Sequence, residues 1–206
     1  MLEAVDLECV RGSRRLFSGL SFRLVLGSML WVLGPNGSGK TSLLRLLCGL
    51  LLPVAGSVRW CGEDVRAARE SFCADLLYLG HAAAIKDDLS SRENLFFGLA
   101  QSGVVASASE VDAALREFGL SGRDDVLARA LSLGQKRRVA LARLALGAGK
   151  RLWILDEPFS GLDAEAVQLV QSHLARQLER GGAAVLTSHQ EVEFGALPVQ
   201  RLPLAA

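Results

Sequence analysis

A glycine-rich turn that ends in a lysine and a threonine carries the strongest chemical signal in the chain. It matches the pattern G-x-x-x-x-G-K-T and stands between an apolar stretch and a segment with helical spacing. Glycines let successive backbone amides turn towards a phosphate group, with the positive end of the following helix behind them. We expect Lys40 to bridge the β- and γ-phosphates of a nucleotide and Thr41 to offer its hydroxyl to Mg²⁺. The residues predicted to contact the nucleotide here are Gly34, Pro35, Asn36, Gly37, Ser38, Gly39, Lys40, Thr41 and Ser42.

Two adjacent acids, Asp156 and Glu157, follow the apolar stretch at residues 152–155. On their own, such acids are more often a solvated strand end than a catalytic pair. Beside a phosphate-binding turn the catalytic interpretation is favoured, because ligands of open α/β sheets bind at the carboxyl ends of the strands. Asp156 is then expected to hold Mg²⁺ or its water, and Glu157 to act as general base towards an attacking water.

The turn and the two acids occur in many kinds of nucleotide hydrolase. A third segment indicates which kind this chain resembles. Residues 131–143 read LSLGQKRRVALAR. This segment resembles the signature motif LSGGQ of the ABC ATPase family and the helix that follows it. In that family the signature residues of one subunit close over the γ-phosphate bound to a second subunit. The resemblance therefore implies nucleotide contacts from Ser132, Gly134 and Gln135, while Leu133 replaces the usual first glycine.

Further resemblances follow in the order of the family. Asp163 ends a segment similar to the D-loop at the dimer interface, and His189 stands where the family has a switch histidine that contacts the γ-phosphate. His81 occupies the position of a glutamine that reaches the metal ion in most members. Arg11 occupies the position of an aromatic residue that stacks on adenine, and a guanidinium can stack in the same way. The predicted catalytic residues are Glu157, His189 and Lys40, and the predicted metal ligands are Thr41, Asp156 and His81.

Four segments resemble one branch of the family, the ATP-binding subunits of haem-export complexes in cytochrome c maturation. They read YLGH at 78–81, IKDDL at 85–89, RENL at 92–95 and QKRRVALARL at 135–144. Ala83 and Ala84 stand near a position where this branch is expected to carry glycine. The resemblance implies an ATPase that uses ATP and Mg²⁺ to drive haem loading onto, or release from, a periplasmic chaperone.

The same resemblance implies partners and a location. We expect a homodimer of ATPase subunits bound to integral membrane permease subunits, CcmB-like, with a CcmC-like protein as a second candidate. The expected location is peripheral, on the cytoplasmic face of the bacterial inner membrane. The segment 81–97 is expected to lie on the surface that receives a cytoplasmic helix of the membrane protein, and Phe96 and Phe97 either contribute there or pack in the core.

Other functions stay open at this point. An ATPase subunit for a different transported substrate would carry the same motifs. A soluble, non-transport ABC ATPase acting on nucleic acid or ribosomes would normally need a second ATPase domain, a long coiled coil or a basic extension, and none is evident. A small-molecule kinase with a phosphate-binding turn does not account for residues 131–135 or His189.

Composition argues against several partners. The 206 residues include 23 Lys and Arg against 22 Asp and Glu, so the net charge of +1 provides no field that attracts nucleic acid. The longest apolar run, residues 43–56, is interrupted by Arg45 and Pro53, and the first residues carry acids. We therefore expect no secretory signal and no direct membrane insertion. The four cysteines lack metal or haem-attachment spacing, so we expect buried, reduced thiols.

The elements that must position these residues alternate between strand and helix. Strands are predicted at residues 2–10, 20–26, 29–33, 57–60, 76–79, 151–155 and 184–187, and helices at 41–50, 134–146 and 163–180. Capping boxes at Ser90 and Ser107 mark two further helix starts. Residues 136–138 are interpreted as a solvated helix face in preference to direct phosphate contact, and His173 as a surface side chain.

The alternation predicts an α/β fold with a parallel core sheet. Together with the resemblance, it predicts one nucleotide-binding domain over residues 1–206, a P-loop NTPase of the ABC ATPase type. Its expected parts are a mainly parallel core sheet, an antiparallel β subdomain, and a helical subdomain inserted at about residues 82–130.

Overall fold

Two β-sheets form the framework of the computed structural model, which describes residues 1–189 and 192–204. The parallel sheet contains β3 (Met29–Leu33), β6 (Leu76–Leu79), β7 (Leu152–Leu155), β8 (Ala183–Thr187) and β9 (Val199–Pro203), in the order β6-β7-β8-β3-β9. The antiparallel sheet contains β1 (Leu2–Arg11), β2 (Arg14–Leu24), β4 (Ala55–Trp60) and β5 (Glu63–Asp64), in the order β2-β1-β4-β5. The predicted α/β class, with one parallel and one antiparallel sheet, is confirmed.

Seven α-helices surround the sheets in the described part of the chain. They are α1 (Lys40–Leu47), α2 (Arg69–Asp75), α3 (Ser91–Gln101), α4 (Ala108–Glu117), α5 (Leu133–Leu141), α6 (Arg143–Leu146) and α7 (Ala164–Glu179), with a 3-10 turn at Ala128–Ala130. The capping boxes predicted at Ser90 and Ser107 are both present. The helices α3 and α4 lie within residues 82–130, and their treatment as a separate subdomain stays a prediction.

The parallel sheet has a separate apolar core on each face. Side chains alternate along its strands, so Trp31, Leu79 and Leu155 enter the core beneath α3 to α7. Leu30, Ile154 and Val185 enter the other core, with α1 and the antiparallel sheet. Every residue of β7 and β8 is buried, as expected for strands covered on both faces.

Strand pairing brings the chemical motifs to one edge of the parallel sheet. Leu79 pairs with Leu155, Leu155 with Leu186, and Val32 with Thr187. The segments after β3, β6, β7 and β8 therefore leave the sheet side by side at its carboxyl edge. This edge is where open α/β sheets bind ligands.

Several local predictions need correction. The second strand begins at Arg14, not at residue 20, because β1 and β2 form a long hairpin. The helix predicted at 134–146 is divided at Ala142 into α5 and α6. The elements α2, β5 and β9 were not predicted. Two of the cysteines, Cys61 and Cys73, are exposed, so the expectation of buried thiols holds only for the other two.

His173 is not a surface residue. Its side chain is 5% exposed on the apolar face of α7, and its ring stacks on Phe118 with centroids 5.5 Å apart. Its Nε2 lies 3.1 Å from a carboxylate oxygen of Glu117. Desolvation lowers the pKa of His173 although the Glu117 charge opposes the shift.

No helix among residues 1–189 and 192–204 is long and apolar enough to cross a membrane.

Candidate active site

The glycine-rich turn connects β3 to α1 at the carboxyl edge of the sheet. Gly39 caps α1 with φ 99°, a left-handed conformation that favours glycine, and a Cβ there would lie 3.1 Å from the Cβ of Leu16. Among the described residues, no side chain caps this helix. Its first amides are therefore available to an anionic ligand.

Lys40 is folded over the same turn. Its ammonium donates hydrogen bonds to the carbonyl oxygens of Gly34 at 2.7 Å and Pro35 at 3.1 Å. Gly34 permits this tight turn, because a Cβ there would lie 2.6 Å from Ser38 Oγ and 2.7 Å from the Leu204 carbonyl. The arrangement places one positive charge beside the uncapped start of α1, which suits a phosphate group.

Asp156 and Glu157 leave the end of β7 beside this turn, and both are buried. One carboxylate oxygen of Asp156 accepts a hydrogen bond from the hydroxyl of Thr187 at 2.8 Å. The other, Oδ2, is buried without a hydrogen-bond partner in the part of the chain that the structure describes. Because a buried carboxylate oxygen is costly to leave unpaired, it fits a role as ligand to a cation or its water.

Glu157 is held in an uncommon backbone conformation. Its φ of 53° lies in the left-handed region, and its amide donates a hydrogen bond to Thr187 Oγ1 at 2.8 Å. The amide of His189 donates to Glu157 Oε2 at 3.0 Å, and His189 Nε2 lies 3.1 Å from Oε1. Strain of this kind persists where surrounding contacts over-determine the backbone, often at functional sites.

A cavity of about 510 Å³ connects these elements. Of the residues predicted from the sequence, it is lined by Arg11, Asn36, Gly37, Gly39, Lys40, Thr41, Ser42, His81, Glu157 and His189. Leu16, on β2, also lines the cavity and was missed, because no motif in the sequence marks it. Gly34, Pro35 and Ser38 belong to the turn, and Asp156 lies beside the lining.

The residues predicted to bind Mg²⁺ offer only a few protein ligands, which is compatible with that ion. Thr41 and His81 face the cavity, and Asp156 offers its unpaired oxygen. No cluster of three or more His, Cys, Asp or Glu side chains that could hold a metal occurs among the described residues. Mg²⁺ commonly takes only one or two protein ligands and completes its shell with waters and nucleotide phosphates, so this sparse set suits it.

The signature residues lie elsewhere. The described lining of the cavity does not include Ser132, Gly134, Gln135 or Asp163. Ser132 and Gln135 instead cap α5 reciprocally, since Ser132 Oγ accepts from the Gln135 amide at 3.2 Å and Gln135 Oε1 accepts from the Ser132 amide at 2.9 Å. Leu133, the next residue, is 86% exposed.

Residues 136–138 do not form a solvated face. Lys136 pairs with Asp87, and Arg138 pairs with Asp163, the residue that caps α7. Hydrogen bonding from the Ala166 amide and, secondarily, the charge of Arg138 lower the pKa of Asp163. These three side chains point towards partners far away in the sequence, which periodicity along one helix does not reveal.

Arg137 is the most deeply placed of the three, at 8% exposure. Its Nη1 donates to the carbonyl oxygens of Gly80 at 3.2 Å and His81 at 3.1 Å. Its Nη2 donates to those of Asp156 at 3.0 Å and Glu157 at 2.7 Å. A residue interpreted as solvated thus joins two segments of the candidate site.

A second groove, of about 620 Å³, lies beside the first cavity and shares His81 with it. Its lining includes residues of β6, of α5 and of the end of α3. Leu50, Leu76 and Leu79 contribute apolar surface, and Arg45 and Arg137 contribute positive charge. His81 is therefore the residue through which the two depressions meet.

Comparisons with known proteins agree with this geometry. The family model described as ABC transporter matches residues 17–160. A protein of Nitrosospira multiformis named cytochrome c biogenesis ATP-binding export protein CcmA is 50% identical over 203 residues, covering 98% of each chain. The protein of the same name from Dechloromonas aromatica is 50% identical over 204 residues, covering 99% of this chain and 100% of its own.

Solved structures give the same result for the fold. A structure described as the ATP-binding subunit of an ABC transporter has a TM-score of 0.80 at 26% identity, covering 91% of this chain and 79% of its own. The family model matches well over half of this chain, and the curated relatives align over nearly all of it. The chain therefore belongs to the ABC transporter family, in the branch of CcmA-type ATP-binding proteins.

Proposed function

We propose that this chain is the ATP-hydrolysing subunit of an export complex in cytochrome c biogenesis and that it acts as a homodimer. The observation that carries the proposal is the division of the motifs between two surfaces. One cavity unites the glycine-rich turn, Glu157 and His189, whereas the signature residues are presented on an exposed helix start outside it. Each chain then supplies one half of each of two ATP sites.

Within one half-site the roles follow from position. The α1 amides and Lys40 bind the phosphates, and Arg11 and Leu16 are placed to contact the base. Glu157 accepts a proton from the water that attacks the γ-phosphoryl group, and His189 orients that carboxylate. Thr41 and Asp156, with His81 nearby, would hold Mg²⁺, which would supply positive charge to the phosphate oxygens.

The signature surface supports the dimer. Leu133 is 86% exposed at the start of α5, where a large apolar side chain gains from being covered. Gly134 is helical, and a Cβ there would meet nothing closer than the Gly161 carbonyl at 3.7 Å. The single chain thus has room for a larger residue at 134, and a glycine there leaves space for a phosphate of the second chain. Ser132 and Gln135 lie beside it, and Asp163 lies at the adjacent turn.

The groove beside His81 is the surface that we assign to the membrane partner. It is lined by apolar side chains, including Leu50, and by Arg45 and Arg137. Leu52 and Val54 are exposed on the segment that follows Leu50. A cytoplasmic helix of a CcmB-like permease would fit there, with a CcmC-like protein as a second candidate partner. The chain would then lie on the cytoplasmic face of the bacterial inner membrane, and haem loading or release would be the step that ATP drives.

The first experiment compares the purified chain with its Glu157→Gln variant. The wild type should hydrolyse ATP, and the variant should lose turnover by about a hundredfold or more, as expected for loss of a general base. The variant should still bind ATP and accumulate as a dimer in ATP, measured by light scattering after size exclusion. Unchanged turnover of Glu157→Gln would show that the base lies elsewhere.

The second experiment identifies the partner. Detergent-solubilised membranes of the source organism are passed over the tagged chain, and the bound membrane proteins are identified by mass spectrometry. Recovery of a CcmB-like permease supports the haem-export assignment. Recovery of an unrelated permease would be compatible with the ATPase function but would contradict the role in haem export. A Leu50→Asp, Leu52→Asp variant should recover less of either partner if the groove is the docking surface.

A further inference from the structure

The guanidinium of Arg137 joins the two loops that leave β6 and β7. Nη1 donates to the carbonyl oxygens of Gly80 and His81 at 3.2 and 3.1 Å, and Nη2 donates to those of Asp156 and Glu157 at 3.0 and 2.7 Å. In the same order, these four acceptors belong to residues that are 57, 56, 19 and 20 positions away in the sequence. One side chain thus connects the loop after β6 to the loop after β7.

An arginine suits this position. Its planar fork presents two nitrogen atoms that each serve one pair of carbonyls, whereas a lysine ammonium is a single compact donor. Desolvation lowers the pKa of Arg137, and the charges of Asp156 and Glu157 oppose the shift. The cation is therefore held in a buried place by the two acids and by the backbone oxygens that it binds.

The hydrogen bond from Arg137 Nη2 holds the carbonyl end of the Glu157 residue in place. The Glu157 peptide has φ 53°, its carbonyl accepts from Arg137, and its amide donates to Thr187 at 2.8 Å. A left-handed φ is unfavourable for a non-glycine residue, and the two anchors hold the peptide in this geometry. The direction of the Glu157 carboxylate follows from that peptide.

The other pair of hydrogen bonds reaches the loop between the two depressions. His81 lines the nucleotide cavity and also the groove assigned to the membrane partner, and its carbonyl is bound by Arg137. Because one guanidinium makes both pairs of hydrogen bonds, it links this loop to the peptide of Glu157.

We propose that Arg137 is a positioning residue that couples the His81 loop to the catalytic alignment of Glu157. The proposal rests on the proposed role of Glu157 as general base and deepens it by naming how the site is regulated. Arg137 contacts backbone oxygens of the site, and its effect on turnover runs through Glu157.

The first test variant replaces the planar guanidinium of Arg137 with a lysine ammonium and so keeps the positive charge. Arg137→Lys should lower kcat for ATP at least tenfold and leave KM within twofold, because ATP binds to other residues. Amide hydrogen exchange should rise in residues 80–84 and also in residues 157–160. Arg137→Gln, which retains two N–H donors without the charge, is the second variant and should show the same division between kcat and KM.

Two controls separate positioning from general destabilisation. Arg143→Lys makes the same replacement at another buried arginine, whose pKa burial lowers to about 10 and whose guanidinium donates to the hydroxyl of Ser102. It calibrates the loss in melting temperature and should not raise exchange in residues 157–160. Arg116→Lys, on the exposed side of α4, should leave turnover unchanged.

Several outcomes would overturn the proposal. They are a kcat of Arg137→Lys within twofold of wild type, a KM that rises in step with the loss of kcat, and faster exchange in only one of the two loops. An equal loss of kcat in Arg143→Lys would also overturn it, because it would show a general effect. Turnover of Glu157→Gln is measured alongside; if it stays high, the proposed base is wrong, which the Arg137 exchange data alone would not indicate.

Discussion

The imidazole Nε2 of His189 lies 3.1 Å from Glu157 Oε1, and the His189 backbone amide donates to Oε2 of the same carboxylate at 3.0 Å. Since the amide contact does not depend on the side chain, the two contributions are separable by substitution. We predict that His189→Ala lowers kcat by about a hundredfold, in the range of a lost acid–base or orienting group, with KM for ATP nearly unchanged. Steady-state kinetics test this, and a kcat within threefold of wild type would refute the role.

Thr187 connects the two acids of the site through one hydroxyl. It donates to Asp156 Oδ1 and accepts from the Glu157 amide, each at 2.8 Å, in a fully buried position. Thr187→Val preserves shape but leaves both partners unsatisfied, so it should lower the free energy of unfolding by about 1–3 kcal/mol and reduce kcat. Thr187→Ser retains the hydroxyl and is the control. Equal stability of the Val and Ser variants in urea unfolding would contradict the argument.

Leu133 provides a test of the dimer that is independent of catalysis. Because its side chain is 86% exposed, Leu133→Lys should change the free energy of unfolding of the single chain by no more than about 0.5 kcal/mol. In a Glu157→Gln background the same substitution should weaken the dimer formed in ATP, measured by analytical ultracentrifugation. Val105→Lys, at a site that is 99% exposed on the loop before α4, is the matched control and should leave the dimer intact.

Ala84 stands near the position where glycine is expected in this branch, and its φ is 52°. Ala84→Gly removes a left-handed strain of roughly 1–2 kcal/mol, partly offset by the greater entropy of glycine in the unfolded chain. We expect a net gain in stability of up to about 1 kcal/mol. Ala83→Gly makes the same change where φ is not positive and should destabilise. A lower melting temperature for Ala84→Gly would show that this loop does not keep the left-handed conformation in solution.

His173 should make stability depend on pH. Burial lowers its pKa in the folded chain, an effect that Arg176 and Arg180 add to and Glu117 opposes. A depressed folded pKa gives stability that is fully present above the unfolded value, about 6.5, and is lost as pH falls towards the folded value. Urea unfolding at pH 7.5 and 5.5 should therefore show a larger loss for the wild type than for His173→Gln. A larger loss in the variant would mean that protonated His173 is stabilised by Glu117.

The predictions made from the sequence depend on residues close together in the chain. The structure confirms the capping boxes at Ser90 and Ser107, and these boxes require only neighbouring residue types. The same holds for the phosphate site predicted from the turn at residues 34–41 and the acids at 156–157, since phosphate binding uses contiguous backbone groups. The strands that precede them are buried on both faces, so they appear as uninterrupted apolar runs. The sheet order then places their ends at one edge.

Contacts between distant segments followed from packing and could not be predicted. Arg137 and His173 lie on helices whose polar side chains are predicted to be solvated from the sequence pattern alone. Arg137 instead binds carbonyl oxygens of residues up to 57 positions away, and the buried ring of His173 stacks on Phe118. The edge strand β9 ends in Pro203, which interrupts the usual pattern of a strand. Local residue types thus predict a phosphate site, whereas the folded chain sets the backbone direction of Glu157, because that backbone is held by Arg137 and Thr187, which are distant in sequence.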